Sequence, residues 1–204
     1  MADLLVATTN RGKVGEIKAV LTQAVPDIKL FTPNDLNITD VPEETGDTFL
    51  ENSVEKSLFY SRLRNGMLTI ADDSGLEVDS LGGSPGVQSA RYGGPESNDN
   101  KNVSKLLTEM EGMEKRSARF VSVITLSLNG SVIRSFRGEV SGVIINERKG
   151  MNGFGYDPVF FYPPLQRTFA ELPAEEKNRI SHRAVALKQL RDFILENKGL
   201  VENG

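Results

Sequence analysis

Residues 120–140 read FVSVITLSLNGSVIRSFRGEV. Two runs rich in β-branched and aromatic residues flank Asn129-Gly130. Both central residues of a type I′ turn need positive φ, which Asn and Gly tolerate, so this stretch is expected to fold as a β-hairpin. Its strands would occupy residues 120–128 and 132–140, with residues 143–145 continuing the sheet. A long antiparallel hairpin rules out a purely parallel, doubly wound sheet and points to a mixed α/β fold.

Downstream, Gly150, Gly153 and Gly155 mark a loop, and residues 159–162 read as a short strand. A helical turn is expected after Pro173. Ser181 is a candidate N-cap for a last helix that carries Leu187, Leu190 and Ile194 on one face. Upstream, residues 4–9 are a short apolar run, and Val14, Ile17, Val20 and Leu21 follow at helical spacing. The chain thus opens β-loop-α. Residues 28–31 are a second strand candidate, and residues 32–47 a loop. Thr48 and Glu51 fit a capping box. Leu50, Val54 and Leu58 are the expected stripe of that helix, and Gly66 its end. Residues 67–71 form an apolar strand that ends in Asp72-Asp73-Ser74-Gly75. The Gly- and Pro-rich residues 82–95 must be irregular. Val103, Leu106, Leu107 and Met110 predict a helix capped near Asn98. No repeat or linker divides residues 1–204, which read as one domain.

Composition narrows the chemistry. The 204 residues include no Cys, which removes disulfides, thiolate metal sites and a cysteine nucleophile. The single histidine, His182, makes a multi-histidine zinc site unavailable. A net charge of −4 argues against nonspecific duplex binding, so no nucleic-acid partner is expected. Neither a signal peptide nor a membrane span is expected, because no basic n-region and no run of about 18 apolar residues is present. A cytoplasmic protein follows as the expectation. The abundance of Asp and Glu suits a hard, oxygen-ligated ion.

Four clusters carry possible chemistry. At the first strand-to-helix junction, Thr8-Thr9-Asn10-Arg11-Gly12-Lys13 combines free helix N–H groups with small polar donors and a cation, a setting that favours phosphate. At Asp72-Asp73 two adjacent acids leave a strand in different directions, and Glu43-Glu44 in the preceding loop adds candidate ligands for Mg²⁺. Phe154-Gly155-Tyr156-Asp157 sets aromatic side chains around a glycine, as a base-stacking loop would. Lys177, Asn178, Arg179, Ser181, His182 and Arg183 crowd cations around a helix start, where the dipole disfavours them and a bound anion would offset them. Singly, each is equally at home in a capped helix, an acidic turn, a packed aromatic corner or a solvated one. Together they fit a nucleotide.

These residues resemble a known family, the noncanonical purine NTP pyrophosphatases, also called inosine triphosphate pyrophosphatases or Ham1-like proteins. The resemblance lies in Thr8-Thr9-Asn10-Arg11-Gly12-Lys13, Glu43-Glu44-Thr45-Gly46, Thr48-Phe49-x-Glu51-Asn52 and Ala71-Asp72-Asp73-Ser74-Gly75-Leu76. It continues in Leu81-Gly82-Gly83-x-Pro85-Gly86-Val87, Ser89-Ala90-Arg91-Tyr92, Gly153-Phe154-Gly155-Tyr156-Asp157-Pro158 and Ile180-Ser181-His182-Arg183. The motifs keep family order over residues 4–195. Thr9 departs from the residue that many relatives carry there, at a variable position.

The resemblance implies a long, twisted mixed sheet flanked by helices, two lobes with a substrate cleft between them, and a homodimer. It implies Mg²⁺-dependent hydrolysis of ITP, dITP and XTP to the monophosphate and pyrophosphate, which cleanses the nucleotide pool. By motif, Asp73 is the catalytic, metal-linked acid, and Glu43 is a second metal ligand with Glu44 the alternative. Thr8, Thr9, Asn10, Arg11, Gly12, Lys13, Ser74, Phe154, Gly155, Tyr156, Asp157, Lys177, His182 and Arg183 bind substrate. Donors among the loop N–H groups near Phe154, and on Lys177, His182 or Arg183, would select a keto group at purine C6. Competing readings are a pyrophosphatase of modified pyrimidine or common nucleotides, and a nucleotide-binding protein without turnover.

Overall fold

The computed structural model describes residues 2–24, 28–96, 98–197 and 199. The element order is β1 (Ala2–Val6), α1 (Arg11–Ala24), β2 (Ile28–Phe31), α2 (Phe49–Leu63), β3 (Leu68–Val78), α3 (Asp99–Glu109), β4 (Ser117–Leu128), β5 (Ser131–Ile144), β6 (Phe160–Tyr162), β7 (Arg167–Thr168), α4 (Ala174–Ile180) and α5 (His182–Glu196). Among the described residues, seven strands form one sheet in the order β2-β1-β3-β4-β5-β6-β7. β1 runs parallel to β2 and β3, while β6 is antiparallel to β5 and β7. The sheet is therefore mixed, as the hairpin requires. Asn129 and Gly130 make its turn with φ of 50° and 73°, the positive values a tight connection needs. No helix among the described residues is long and apolar enough to cross a membrane.

The chain divides into two compact units, one drawn from Met1–Asp73, Ser122–Gly138 and Arg183–Gly204, the other from Ser74–Val121 and Glu139–His182. In the first, Leu4 and Val6 of β1, Ile17 and Leu21 of α1, Leu68 and Ile70 of β3 and Leu187, Leu190 and Ile194 of α5 share one apolar core. On the other face of these strands Leu5, Ala7 and Ala71 pack with Tyr60 of α2. In the second unit, Leu76 and Val78 of β3, Val103, Leu106 and Met110 of α3, and Phe120, Phe160 and Phe169 form the core. The helical faces expected for α1, α3 and α5 are thus the buried ones.

Three elements differ from expectation. The stripe expected for α2 is not its buried face: Leu50 is exposed, and Val54 and Leu58 are half-buried. Buried instead are Phe49, Asn52, Ser53, Lys56, Ser57, Tyr60 and Ser61. The three serines recur every four residues and meet β4 and the hairpin turn. Ser53 bonds the Thr125 hydroxyl, Ser57 bonds Ser127 Oγ at 2.7 Å, and Ser61 accepts the Gly130 N–H at 2.9 Å. Because each hydroxyl finds a partner, a polar helix face is buried without the penalty of unmade bonds. The capping box at Thr48 and Glu51 is present on both sides, as the sequence predicts.

The second difference is β3. It does not stop at Ala71 but continues through Val78, so Asp72 and Asp73 lie within a strand rather than at its end. Conversely, β1 leaves the sheet after Val6. Residues 8–10 are instead irregular, and Asn10 Oδ1 accepts the Lys13 N–H at 3.1 Å at the start of α1.

Candidate functional site

Because side chains alternate across a strand, neighbouring residues of β3 point to opposite faces. Asp72 shares its face with Leu68 and Ile70, under α1 and α5, while Asp73 shares its face with Ala71, under α2. The two acids therefore meet different partners. Asp72 is buried and accepts from Ser122 Oγ at 2.5 Å. Its Oδ2 pairs with Lys13 Nζ at 2.9 Å and with Arg183 at 3.1 Å from Nη2 and 3.3 Å from Nε. Arg183 is itself buried and also pairs with Glu16 of α1. Burial alone would raise the Asp72 carboxyl, but the charges of Arg183 and Lys13 outweigh it and hold the group well below the carboxylate range. Burial draws the Lys13 ammonium below its ordinary value, against the pull of Asp72.

Asp73 is bound differently. Its Oδ1 accepts from Lys56 Nζ at 3.1 Å, and the same ammonium reaches Glu44 Oε1 at 3.1 Å and the Asp72 carbonyl at 3.1 Å. Asp73 Oδ2 is buried and has no hydrogen-bond partner among the described residues. A buried carboxylate oxygen without a donor is costly and invites a cation or a proton. Burial accordingly pushes the Asp73 carboxyl above its ordinary range, with Lys56 opposing. Burial also works against the Lys56 charge, but Asp73 and Glu44 outweigh it and hold that group above its usual value.

The loop that carries Glu44 is fastened to the start of α2. Gly46 donates to Asn52 Oδ1 at 2.9 Å, and the Asp47 and Thr48 N–H groups both donate to Glu51 Oε2 at 2.9 Å. A Cβ on Gly46 would stand 2.6 Å from Glu51 Cβ, so this approach needs glycine. Glu43 is exposed, and Glu44 is the acid of the pair that joins the Lys56 group. No cluster of three acidic or histidine side chains able to hold a metal occurs among the described residues. Mg²⁺ does not need one, because it keeps several waters and takes one or two carboxylates beside substrate phosphates. The oxygen donors Asp73 and Glu44, with the orphaned Asp73 Oδ2, fit such an ion. Of the first motif, Lys13 alone folds onto the acids, while Thr9, Asn10 and Arg11 are exposed around the α1 start. Lys56 is the residue the sequence reading missed. Its trace is the polar stripe Asn52, Ser53, Lys56, Ser57, Tyr60, which has helical period but no apolar content.

In the second unit the aromatic loop is held by carboxylates. Asp157, buried, takes the Phe154 N–H at 2.9 Å and the Lys177 ammonium at 2.5 Å on Oδ2. Gly153, at φ 76°, lets the carboxylate approach: a Cβ there would stand 2.0 Å from Asp157 Oδ2. Lys177 Nζ also lies 4.7 Å from the Phe154 ring centroid, a cation–π contact. The Gly155 N–H donates to Asp99 Oδ2 at 2.7 Å, and the Asp157 N–H to the Phe154 carbonyl at 3.3 Å. The loop amides of Phe154, Gly155 and Asp157 are thus engaged by the protein, which narrows the expected base donors to side chains. Tyr156 is buried, its hydroxyl donating to the Ser89 carbonyl at 2.8 Å, and burial pushes the phenol up. His182 is buried and stacks on Phe120, with centroids 4.8 Å apart. Ser74 follows Asp73 on β3 and is half-buried. Two of the cations around the α5 start have protein counter-charges, Asp157 for Lys177, and Asp72 with Glu16 for Arg183, so a bound anion is not needed to explain these two.

The chain is similar to known proteins over nearly its whole length. Residues 4–193 match the model of the Ham1 family. The chain is 50% identical to a dITP/XTP pyrophosphatase of Bacillus licheniformis, over 93% of this chain and 96% of that protein. It is 45% identical to the dITP/XTP pyrophosphatase of Bacillus subtilis, over 95% and 98% of the two chains. The structure of the Staphylococcus aureus Ham1 protein superposes with a TM-score of 0.85 at 41% identity, covering 96% of this chain and 99% of that one. A HAM1 protein from Coxiella burnetii gives a TM-score of 0.86 at 38% identity, covering 96% and 100%.

Proposed function

The chain belongs to the Ham1 family, and we propose that it hydrolyses the noncanonical purine nucleotides ITP, dITP and XTP to the monophosphate and pyrophosphate. The near full-length identity to dITP/XTP pyrophosphatases carries this reading. The chemistry follows from the acid pair. Phosphoryl-type substitution requires neutralised charge and a positioned water more than covalent help. Asp73 is the reacting carboxylate: Lys56 fixes Oδ1, and Oδ2 is left to meet a cation or a water proton. Mg²⁺ held by Asp73 and Glu44 would supply phosphate neutralisation and an oriented, acidified water. Water oxygen bonds the α-phosphorus, the bridging P–O bond breaks, pyrophosphate leaves, and Asp73 takes up the proton. Lys13 and Lys56 face phosphate oxygens, and the residues Thr8, Thr9, Asn10, Arg11 and Gly12 at the α1 start add donors.

Base selection falls to the second unit. Phe154 supplies the stacking face, since Tyr156 is buried with its hydroxyl committed to Ser89. Lys177, which carries three N–H donors, and His182 meet a C6 oxygen. The adenine amino group would face those side chains donor to donor. Ser74 completes the substrate contacts, and Arg183 supports the site by holding Asp72. In this reading the working form is a homodimer in the cytoplasm. The test is release of pyrophosphate from ITP, XTP, GTP, ATP and dUTP, each with Mg²⁺ and with excess EDTA. ITP and XTP are expected to be cleaved and ATP spared, with EDTA stopping turnover. Release of orthophosphate in place of pyrophosphate would overturn the bond assignment.

A further inference from the structure

The first turn of α3 belongs to none of the phosphate, metal or base clusters, yet two of its side chains reach toward the aromatic loop by separate routes. Asp99 Oδ2 accepts the Gly155 N–H at 2.7 Å. Three residues on, the buried Asn102 accepts the Gly93 N–H at 2.6 Å on Oδ1 and donates from Nδ2 to the Ala90 carbonyl at 3.1 Å. That pins the segment containing Ser89, whose carbonyl receives the Tyr156 hydroxyl at 2.8 Å. Gly93 packs against the helix so closely that a Cβ would stand 2.6 Å from the Lys101 carbonyl carbon. One helical turn therefore holds Gly155 directly and Tyr156 through Ser89.

We infer that Asp99 is a positioning residue for base recognition, fixing the Gly155 amide and with it the pose of Phe154 over Lys177. The inference rests on the reading of residues 154–157 as the base-binding loop. The local geometry supports it. Phe154 stands between two acid-anchored amides, its own on Asp157 and that of Gly155 on Asp99. Asp157 ties the loop to Lys177 of α4, and Asp99 ties it separately to α3. Gly155, at φ 63° with nothing within 4 Å of a Cβ, has no side chain to seat it, so its hydrogen bond to Asp99 anchors that position of the loop. Asp99 also opens α3, where a carboxylate is favoured by the helix N-terminus and stays in place.

The experiment compares wild type, Asp99→Ala and Asp99→Asn, measuring kcat and KM for ITP and ATP alongside Tm. Asp99→Ala is expected to raise KM for ITP about tenfold, the loss of one charge-assisted hydrogen bond, with kcat within about twofold. The ITP-over-ATP ratio of kcat/KM narrows correspondingly while Tm stays close to wild type. Asp99→Asn keeps an acceptor oxygen and recovers most of the KM. Selectivity that survives Asp99→Ala, or no recovery in Asp99→Asn, overturns the inference alone. A wild type that cleaves ATP as well as ITP overturns the base-binding reading, and the inference with it.

Discussion

Asp72 and Asp73 are adjacent, identical in type and both buried, yet their contacts assign them opposite duties. Asp72→Asn removes the charge that balances Lys13 and Arg183. Arg183 retains Glu16, but the half-buried Lys13 loses its pairing with the buried Asp72. Breaking a buried pair by removing one partner costs about 3–5 kcal/mol. At a urea m-value of about 2 kcal/mol per molar, the unfolding midpoint drops by about 1.5–2.5 M. The Asp72 carboxyl is depressed in the fold, so its contribution is complete above the unfolded value near pH 4 and is lost only as pH falls through the lower folded value. The deficit should therefore be the same at pH 7 and at pH 5.5. Asp73 is the control. Its carboxyl is raised, meaning the fold disfavours its charge, so Asp73→Asn should unfold within about 1 kcal/mol of wild type. Urea titrations followed by circular dichroism read both. A loss under about 1 kcal/mol for Asp72→Asn, or an equal loss for the two variants, would refute the division of labour.

Asp73→Asn should lower kcat by about 10²–10⁴-fold, the usual range for a lost acid–base group; a value within a few-fold of wild type would move the chemistry to another acid. Chelation should abolish turnover and added Mg²⁺ restore it, and full activity in excess EDTA would end the metal account. Ser57→Ala strips a hydroxyl that bonds both Ser127 and the Val54 carbonyl, and should cost about 1–3 kcal/mol because Ser127 is left buried and short of a partner. Adding Ser127→Ala should recover part of that loss in a double-mutant cycle; strict additivity would show that the hydroxyl pair is not coupled.

The hairpin, the α1, α3 and α5 faces and the acid pair were legible because each depends on local chemistry: an Asn-Gly turn, apolar period, two carboxylates on one strand. What escaped depends on partners distant in sequence. The α2 face is polar, and it is buried because Thr125, Ser127 and Gly130, some seventy residues on, supply its hydrogen bonds. Apolar periodicity has no means of seeing such a face. Lys56 was overlooked for the same reason, since a lysine in a helix reads as solvated until Asp73 and Glu44 are placed around it. The end of β3 was set too early because acids suggest a turn, whereas Arg183, Lys13 and Lys56 neutralise both and let the strand continue. Glycine marked the aromatic loop but did not show that Asp99 and Asp157 would occupy its amides.

The most direct test of the central claim is kcat/KM for ITP, XTP, GTP and ATP under one set of Mg²⁺-containing conditions, with pyrophosphate quantified as product. Side-chain donors at Lys177 and His182 set against the donor amino group of adenine predict ATP slower than ITP by several powers of ten, with one pyrophosphate formed per monophosphate. Cleavage of ATP as fast as ITP, or of neither, would contradict the account.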